Sequence, residues 1–432
     1  MLCIYNKFGE SLILPKRRTE AREFGPILIA IILVFTLAAG LLATNVFLVA
    51  KIANGGEFLT IWNGTRAFLF EHASPYSTYV PDHVQQMVYE RRAEPGENPF
   101  ILDTPFSILL LFFPFSLIEN ASTALMIFQL LLEITILWFV IASMKFANWN
   151  PKLDLRIAFF LFMTLNYFTI YSLFEGSLSI LVVAGIVALL LSLRSGRDEL
   201  AGALVALLSF KWQLTAPILI FVILRVVRFR MWRVVAGFGM LTFVLTIISY
   251  FLYPSWTIPY LRALVNDQRS DYGFSSFTSF VELFPVHGIQ VAWFVTLILI
   301  FITILEWVRA QDKNSLQLAW AASLTLAVTP LLGFRFEFQD LTVLLIPTTL
   351  ILAVVGERWT QTGNWSVIGF MVIFLSLSWV ALDDIFNILQ TALDHQMFLF
   401  FPVMVIFGLY WVRWWALRPP RTWLDQITRT GV

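Results

Sequence analysis

Apolar runs of about 20 residues follow one another from residue 26 to residue 415, separated by short polar or basic loops. Each longer run suffices to carry a helix across roughly 30 Å of hydrocarbon, where a chain must satisfy its own backbone hydrogen bonds. A chain patterned in this way folds as helices packed within a membrane. Composition agrees: 59% of residues are hydrophobic and 13% charged, about half the charge of an ordinary soluble domain. With 29 basic and 28 acidic residues the net charge is +1, which gives no footing for a nucleic-acid surface. The lone Cys3 excludes an internal disulfide and any cysteine-based metal site. The first run, residues 26–50, exceeds the apolar core of a signal peptide and lacks a small-residue cleavage pattern, so it reads as a retained anchor.

Lys16, Arg17, Arg18 and Arg22 precede that first run, which by the positive-inside rule places the N-terminus in the cytoplasm. Further basic loops at residues 194–197, 225–233, 309–313 and 413–429 belong to the same side. Alternation then assigns residues 51–103, the surroundings of Glu175 and of Lys211, and residues 253–288, 335–340 and 383–395 to the outer side. About thirteen apolar runs are present, whereas two cytoplasmic termini require an even number of crossings. The run from Pro105, short and interrupted by Pro114, reads as a partial span. The expected fold is an all-α polytopic membrane protein with about twelve transmembrane helices, a single domain over residues 1–432. Its main outer loop is residues 51–104 and a second is residues 254–288.

Within the main loop, residues 57–72 show aromatic positions at helical spacing and read as an interfacial helix lying on the membrane, with Trp62 at the headgroup level. Glu57 falls at the start of that helix, where the dipole favours an anion; from the residues alone it is either a cap or a base. Arg66 suits a lipid phosphate or a substrate. Lys211 interrupts apolar sequence between Phe210 and Trp212, where a charge is costly unless it faces a cavity or a partner. In the segment Phe334 to Asp340, Arg335 and Glu337 suit an ion pair, and Asp340 suits a helix cap, as readily as a site. Glu133, mid-span, suits an interhelical hydrogen bond more readily than a proton path, because no ladder of further acids follows it. His287 adjoins the second outer loop, whose aromatic residues suit either a membrane-interface belt or sugar rings. No P-loop, Asp-x-Asp, His-x-x-His or Gly-x-Gly-x-x-Gly motif occurs.

A first span followed by acidic residue-Phe (Glu57-Phe58), an aromatic helix with Arg66 and then Pro75-Tyr76 resembles glycosyltransferase family 87, whose members use polyprenyl-phosphate sugars and have the GT-C fold. Further landmarks follow in order: Pro105-Phe106 with Pro114, Glu175-Gly176-Ser177, Ala201-Gly202, Phe210-Lys211 and Thr329-Pro330 leading to Asp340. Glu57 stands where Asp is usual, Thr104 replaces the first of two prolines, and the Gly-Gln pair is altered at Glu175-Gly176. The resemblance implies a hexosyltransferase that inverts the sugar, such as mannose, in moving it from a polyprenyl-phosphate donor to a hydroxyl of a glycolipid or glycan acceptor. Glu57 would be the base, and Arg66, Lys211 and Arg335 would hold the donor phosphate. Trp62, Tyr76, Glu175, Gln213, His287, Glu337 and Asp340 would contact sugar or acceptor. No cofactor, metal or nucleic acid is implied; the partners are donor, acceptor and membrane lipids. The setting implied is a bacterial inner membrane with the active site outward. A transporter or lipid flippase, or a silent relative serving in assembly, are the alternatives; a transporter would favour two-fold internal similarity, which the sequence lacks.

Overall fold

A computed structural model describes residues 55–270, 272–310, 315–358, 363–381 and 394–417, with Gly40 and Asn45. Most of the first apolar run, the N-terminal basic cluster, Cys3, residues 383–393 and residues 418–429 lie outside the described residues. The described chain is helical, its extended pairing being the antiparallel bridge between Phe274 and Phe336.

Among the described residues six helices are long and apolar enough to cross a membrane: Ala121–Phe146, Trp212–Phe229, Trp232–Leu252, Gly288–Arg309, Phe338–Arg358 and Phe398–Leu417. The pair Leu153–Leu165 and Tyr167–Phe174, bent by 47°, adds a seventh if taken as one broken span. The break falls at Asn166, whose extended backbone ends the first helix while its side chain accepts from the Phe168 N–H at the start of the second. Four shorter apolar helices accompany them: Phe106–Ser116, Ser179–Arg194, Leu316–Leu331 and Asn364–Val380. The first of these, about 16 Å of helix, is interrupted by a 3₁₀ turn at Leu110–Phe112. That is the stretch read from the sequence as a partial span.

Burial ranks the helices. In Phe338–Arg358, 89% of the apolar window is enclosed by protein, which makes it the central helix. Trp232–Leu252, at 17%, exposes Phe243, Ile247 and Phe251, as a lipid-facing helix must. Its inner face packs backbone to backbone against the short helix Asp198–Leu208. A Cβ added at Gly202 would come within 2.0 Å of the Val234 carbonyl oxygen, so only glycine admits this approach.

The two ends of the bundle sort by chemistry. Glu57, Glu175, Lys211, Asp267 and Arg335, all from segments that alternation assigns to one side, meet around one cavity. About 21 Å away along helix Trp212–Phe229, the basic segments meet one another: Arg225 donates to the Ala310 carbonyl at 3.4 Å, and Arg413 and Arg309 reach Glu306 at 2.8 and 3.0 Å.

Helix Gly56–Phe70 occupies the expected stretch, but its aromatic side faces protein. Phe58 stacks on Phe128 of helix Ala121–Phe146 with ring centroids 4.6 Å apart, and Trp62 is buried with its indole N–H donating to the Ile118 carbonyl at 3.2 Å. The aromatic stripe that suggested a headgroup contact is part of the protein core.

Candidate functional site

Glu57 lies in the first turn of helix Gly56–Phe70, where unpaired backbone N–H groups and the helix dipole favour a carboxylate. Its Oε2 accepts from the Ser177 hydroxyl at 2.6 Å and its Oε1 from the Lys211 ammonium at 3.3 Å. Ser177 can approach because Gly176 adopts φ +58; there a Cβ would also meet the Cβ of Phe58 at 2.9 Å.

Lys211 sits in the turn between helices Asp198–Leu208 and Trp212–Phe229, at the N-cap position of the second. Thr215 pins this turn, its hydroxyl lying 2.9 Å from the Leu208 carbonyl and 3.0 Å from that of Lys211. The Lys211 ammonium lies 3.0 Å from Asp340 Oδ1 and donates to the Ser179 hydroxyl at 2.8 Å. Ser179 in turn donates to Asp340 Oδ1 at 2.6 Å, and Asp340 Oδ2 accepts from the Glu337 backbone N–H at 3.0 Å. Asp340 thus reaches back to the Glu337 N-cap from the first turn of the helix and is also a member of the charged network. Lys211 joins two carboxylates that are 283 positions apart in the chain. Burial opposes its charge, but Asp340, Glu57 and Glu337 outweigh burial and raise its pKa above the ordinary lysine value, so it stays cationic.

Glu57, Lys211, Glu337 and Asp340 line a cavity of about 80 Å³ together with Thr60, Ile61, Asn98, Asp103, Glu175, Gln213, Asp267, Arg335 and Gln339. Arg335 is clamped through Nη1 by the Asp267 carbonyl and by Ser270 Oγ at 2.7 Å, and through Nη2 by Asp267 Oδ1 at 2.9 Å. It therefore pairs with Asp267 rather than with Glu337, which accepts from the Gln339 side chain instead. Burial pushes the Glu337 carboxyl well above the ordinary range, and neighbouring Asp340 and Glu57 add to the shift against Lys211 and Arg335. Asp103 is raised to about 7, by burial first and then by Asp267 and Glu57. Among the described residues no three His, Cys, Asp or Glu side chains converge as a metal site would require.

Of the residues singled out from the sequence, Glu57, Lys211, Glu175, Gln213, Arg335, Glu337 and Asp340 line this cavity. Four do not. Trp62 and Arg66 follow Glu57 by five and nine positions, roughly 140° and 180° around a 3.6-residue helix, so they point away from it. Arg66 donates to the carbonyls of Ser116 and Ile118 at 2.9 and 3.4 Å and lies over the Trp62 and Phe70 rings, contacts that tie its helix to the broken Pro105 segment. Tyr76 is behind the wall, its hydroxyl donating to the Thr104 carbonyl at 2.9 Å and its ring against Tyr260. His287 is exposed just before helix Gly288–Arg309, outside the cavity.

Sequence reasoning passed over Asp103, Asp267, Gln339 and the two serines. Asp103 had a signal: it is the last charge before the Thr104-Pro105 start of an apolar run. Ser177 stood within the Glu175-Gly176-Ser177 landmark without being given a role. Asp267 and Ser179 carry no such mark, because their importance comes from partners 68 and 161 positions away.

No curated protein and no solved structure matches this chain. Residues 103–334 match the model of glycosyltransferase family 87. That range includes Asp103, Ser177, Ser179 and Lys211, and the fold brings Glu57 and Asp340 to them from either side of it. With more than half of its length matched and its apolar helices able to span a membrane, this chain belongs to glycosyltransferase family 87.

Proposed function

We propose that this protein transfers a hexose from a polyprenyl-phosphate donor to a hydroxyl of a glycolipid or glycan, with inversion, and that Glu57 is the base. The observation that carries the proposal is the Glu57 carboxylate at the cavity wall, oriented by Ser177 at 2.6 Å and Lys211 at 3.3 Å. Held by a hydroxyl and an ammonium, the Glu57 carboxylate has a defined direction, as a general base requires. In the step, the acceptor hydroxyl gives its proton to Glu57 as its oxygen bonds to the anomeric carbon. The bond from that carbon to the phosphate oxygen breaks, and its electron pair leaves with the polyprenyl phosphate.

Lys211 is committed to Glu57, Ser179 and Asp340, so its role here is to position the base. Arg335 is the cation for the departing phosphate. Three of its contacts are spent on Asp267 and Ser270, and a guanidinium has five N–H donors, so Nε–H and the second Nη2–H serve the phosphate. Glu175, Gln213 and Glu337 take sugar hydroxyls. The 80 Å³ cavity is smaller than the roughly 300 Å³ of most ligand sites, so the site widens on substrate entry.

The GT-C architecture with about twelve crossings is part of the same reading, as is one domain with outer loops at 51–104 and 254–288. Six long helices, the bent pair and the shorter apolar helices support that count, and the convergence of the site segments at the end opposite the basic loops supports an outward-facing site with cytoplasmic termini; the bacterial inner membrane rests on the family resemblance alone. A second reading rests on Asp103, whose pKa of about 7 suits a base at neutral pH; there Glu57 would orient the acceptor. Purified protein given a polyprenyl-phosphate hexose should form a glycoside of inverted anomeric configuration, observed by NMR of the product. Turnover with a nucleotide sugar alone, or retained configuration, would contradict the proposal.

A further inference from the structure

A second cavity, of about 280 Å³, lies far from the first, between helices Trp212–Phe229 and Gly288–Arg309 at their basic ends. Its walls are hydrocarbon: Phe221, Leu224, Ile304, Trp307 and Val308. Leu224, Ile304 and Val308 are about half exposed and face the surroundings of the bundle, which in this chain are lipid. The floor is rigid, since Trp307 packs against Phe221 at 5.6 Å and donates its indole N–H to Thr325 at 2.7 Å.

The end of this groove is charged. Arg225 and Arg228 both line it, and as an i,i+3 pair they share one face of their helix. The Arg225 guanidinium is oriented by the Ala310 carbonyl at 3.4 Å and the Phe229 ring at 4.8 Å, both residues that also line the groove. Arg230 follows at the end of that helix and Arg233 in the first turn of helix Trp232–Leu252, giving four arginines in nine residues. Glu306 on the facing helix is taken up by Arg309 and Arg413.

We propose that this groove binds one anionic phospholipid of the leaflet at the basic end, with an acyl chain between the two helices and the headgroup phosphate held by Arg225 and Arg228. An apolar slot lined by hydrocarbon side chains and closed by two guanidiniums at the basic end of the helix matches that molecule better than a zwitterionic lipid or a free anion. The site is separate from the glycosyl-transfer cavity and does not depend on how that cavity is read.

Native mass spectrometry of the full chain, released from nanodiscs of mixed phosphatidylglycerol and phosphatidylcholine, tests the proposal. The unaltered protein should keep one phosphatidylglycerol in preference to phosphatidylcholine. In the double variant Arg225→Gln, Arg228→Gln the apparent affinity should fall roughly thirtyfold, from about 1 kcal/mol per arginine near a membrane surface. The double variant to lysine should retain most of the preference, and Leu224→Trp, which fills the slot and keeps both charges, should lose the lipid. Equal retention of the two lipids by the unaltered protein overturns the proposal without reference to any variant. So does undiminished phosphatidylglycerol on the glutamine variant, displacement of the lipid by inorganic phosphate alone, or a dimer appearing in place of the lipid adduct.

Discussion

The Lys211 ammonium stands between two carboxylates, 3.3 Å from Glu57 Oε1 and 3.0 Å from Asp340 Oδ1, and both partners share it within one cavity wall. One positive charge so placed offsets two negative ones, and removal of the lysine would leave two partly buried carboxylates facing each other. Lys211→Met should therefore lower the thermal midpoint in detergent, by an amount corresponding to about 3 kcal/mol. Adding Asp340→Asn to it should recover part of the loss, because one of the two uncompensated charges is then gone. A double variant no more stable than Lys211→Met would show that the two acids do not share the lysine.

Asp103 gives the site a pH dependence near neutrality. Its pKa in the folded protein is about 7, against 3.8 for an unburied aspartate. Between those values the folded state holds a proton that the unfolded state has released, so this group's contribution to stability falls as pH rises from about 4 to about 7 and is constant above that. Asp103→Asn removes the titration. Melting curves across pH 5–8 should show unaltered protein losing stability relative to the variant as pH increases; parallel curves would place the Asp103 pKa outside this window.

The approach of helices Asp198–Leu208 and Trp232–Leu252 depends on Gly202, whose added Cβ would lie 2.0 Å from a backbone oxygen. Gly202→Val should separate the helix that leads into the Lys211 turn from helix Trp232–Leu252, giving poorly folded protein on size exclusion. Gly239→Val, on the same helix as Val234 but with nothing within 4 Å of an added Cβ, should behave like unaltered protein. Similar profiles for the two variants would remove the close approach from the account.

Charge placement made much of this site legible in the sequence. Lys211, Arg335 and Asp340 interrupt apolar sequence at helix ends, where an ionised group needs a reason to be present. Alternation of the basic loops assigned those segments to one side, and the fold brings them together. Helical phase was less legible. Trp62 and Arg66 share a helix with Glu57, but proximity in sequence does not give a shared face, and only neighbours such as Thr60 and Ile61 join Glu57 at the cavity. Ser179 and Asp267 could not be found, because each acquires its role through a partner that tertiary packing supplies. The number of crossings stayed ambiguous for a related reason: short helices such as Phe106–Ser116 satisfy their apolar surface against protein and need not traverse the bilayer.

The central claim is that Glu57 removes the acceptor proton, and Glu57→Gln tests it with little change of shape. The measurement is hexose transfer from a polyprenyl-phosphate donor by purified protein in proteoliposomes, with the thermal midpoint of each sample taken alongside. Glu57→Gln should reduce turnover at least about a hundredfold, the scale of general-base loss, in protein that remains folded, while Asp103→Asn should reduce it far less. Near-normal turnover by Glu57→Gln, with the large loss in Asp103→Asn instead, would contradict the account and transfer the base to Asp103.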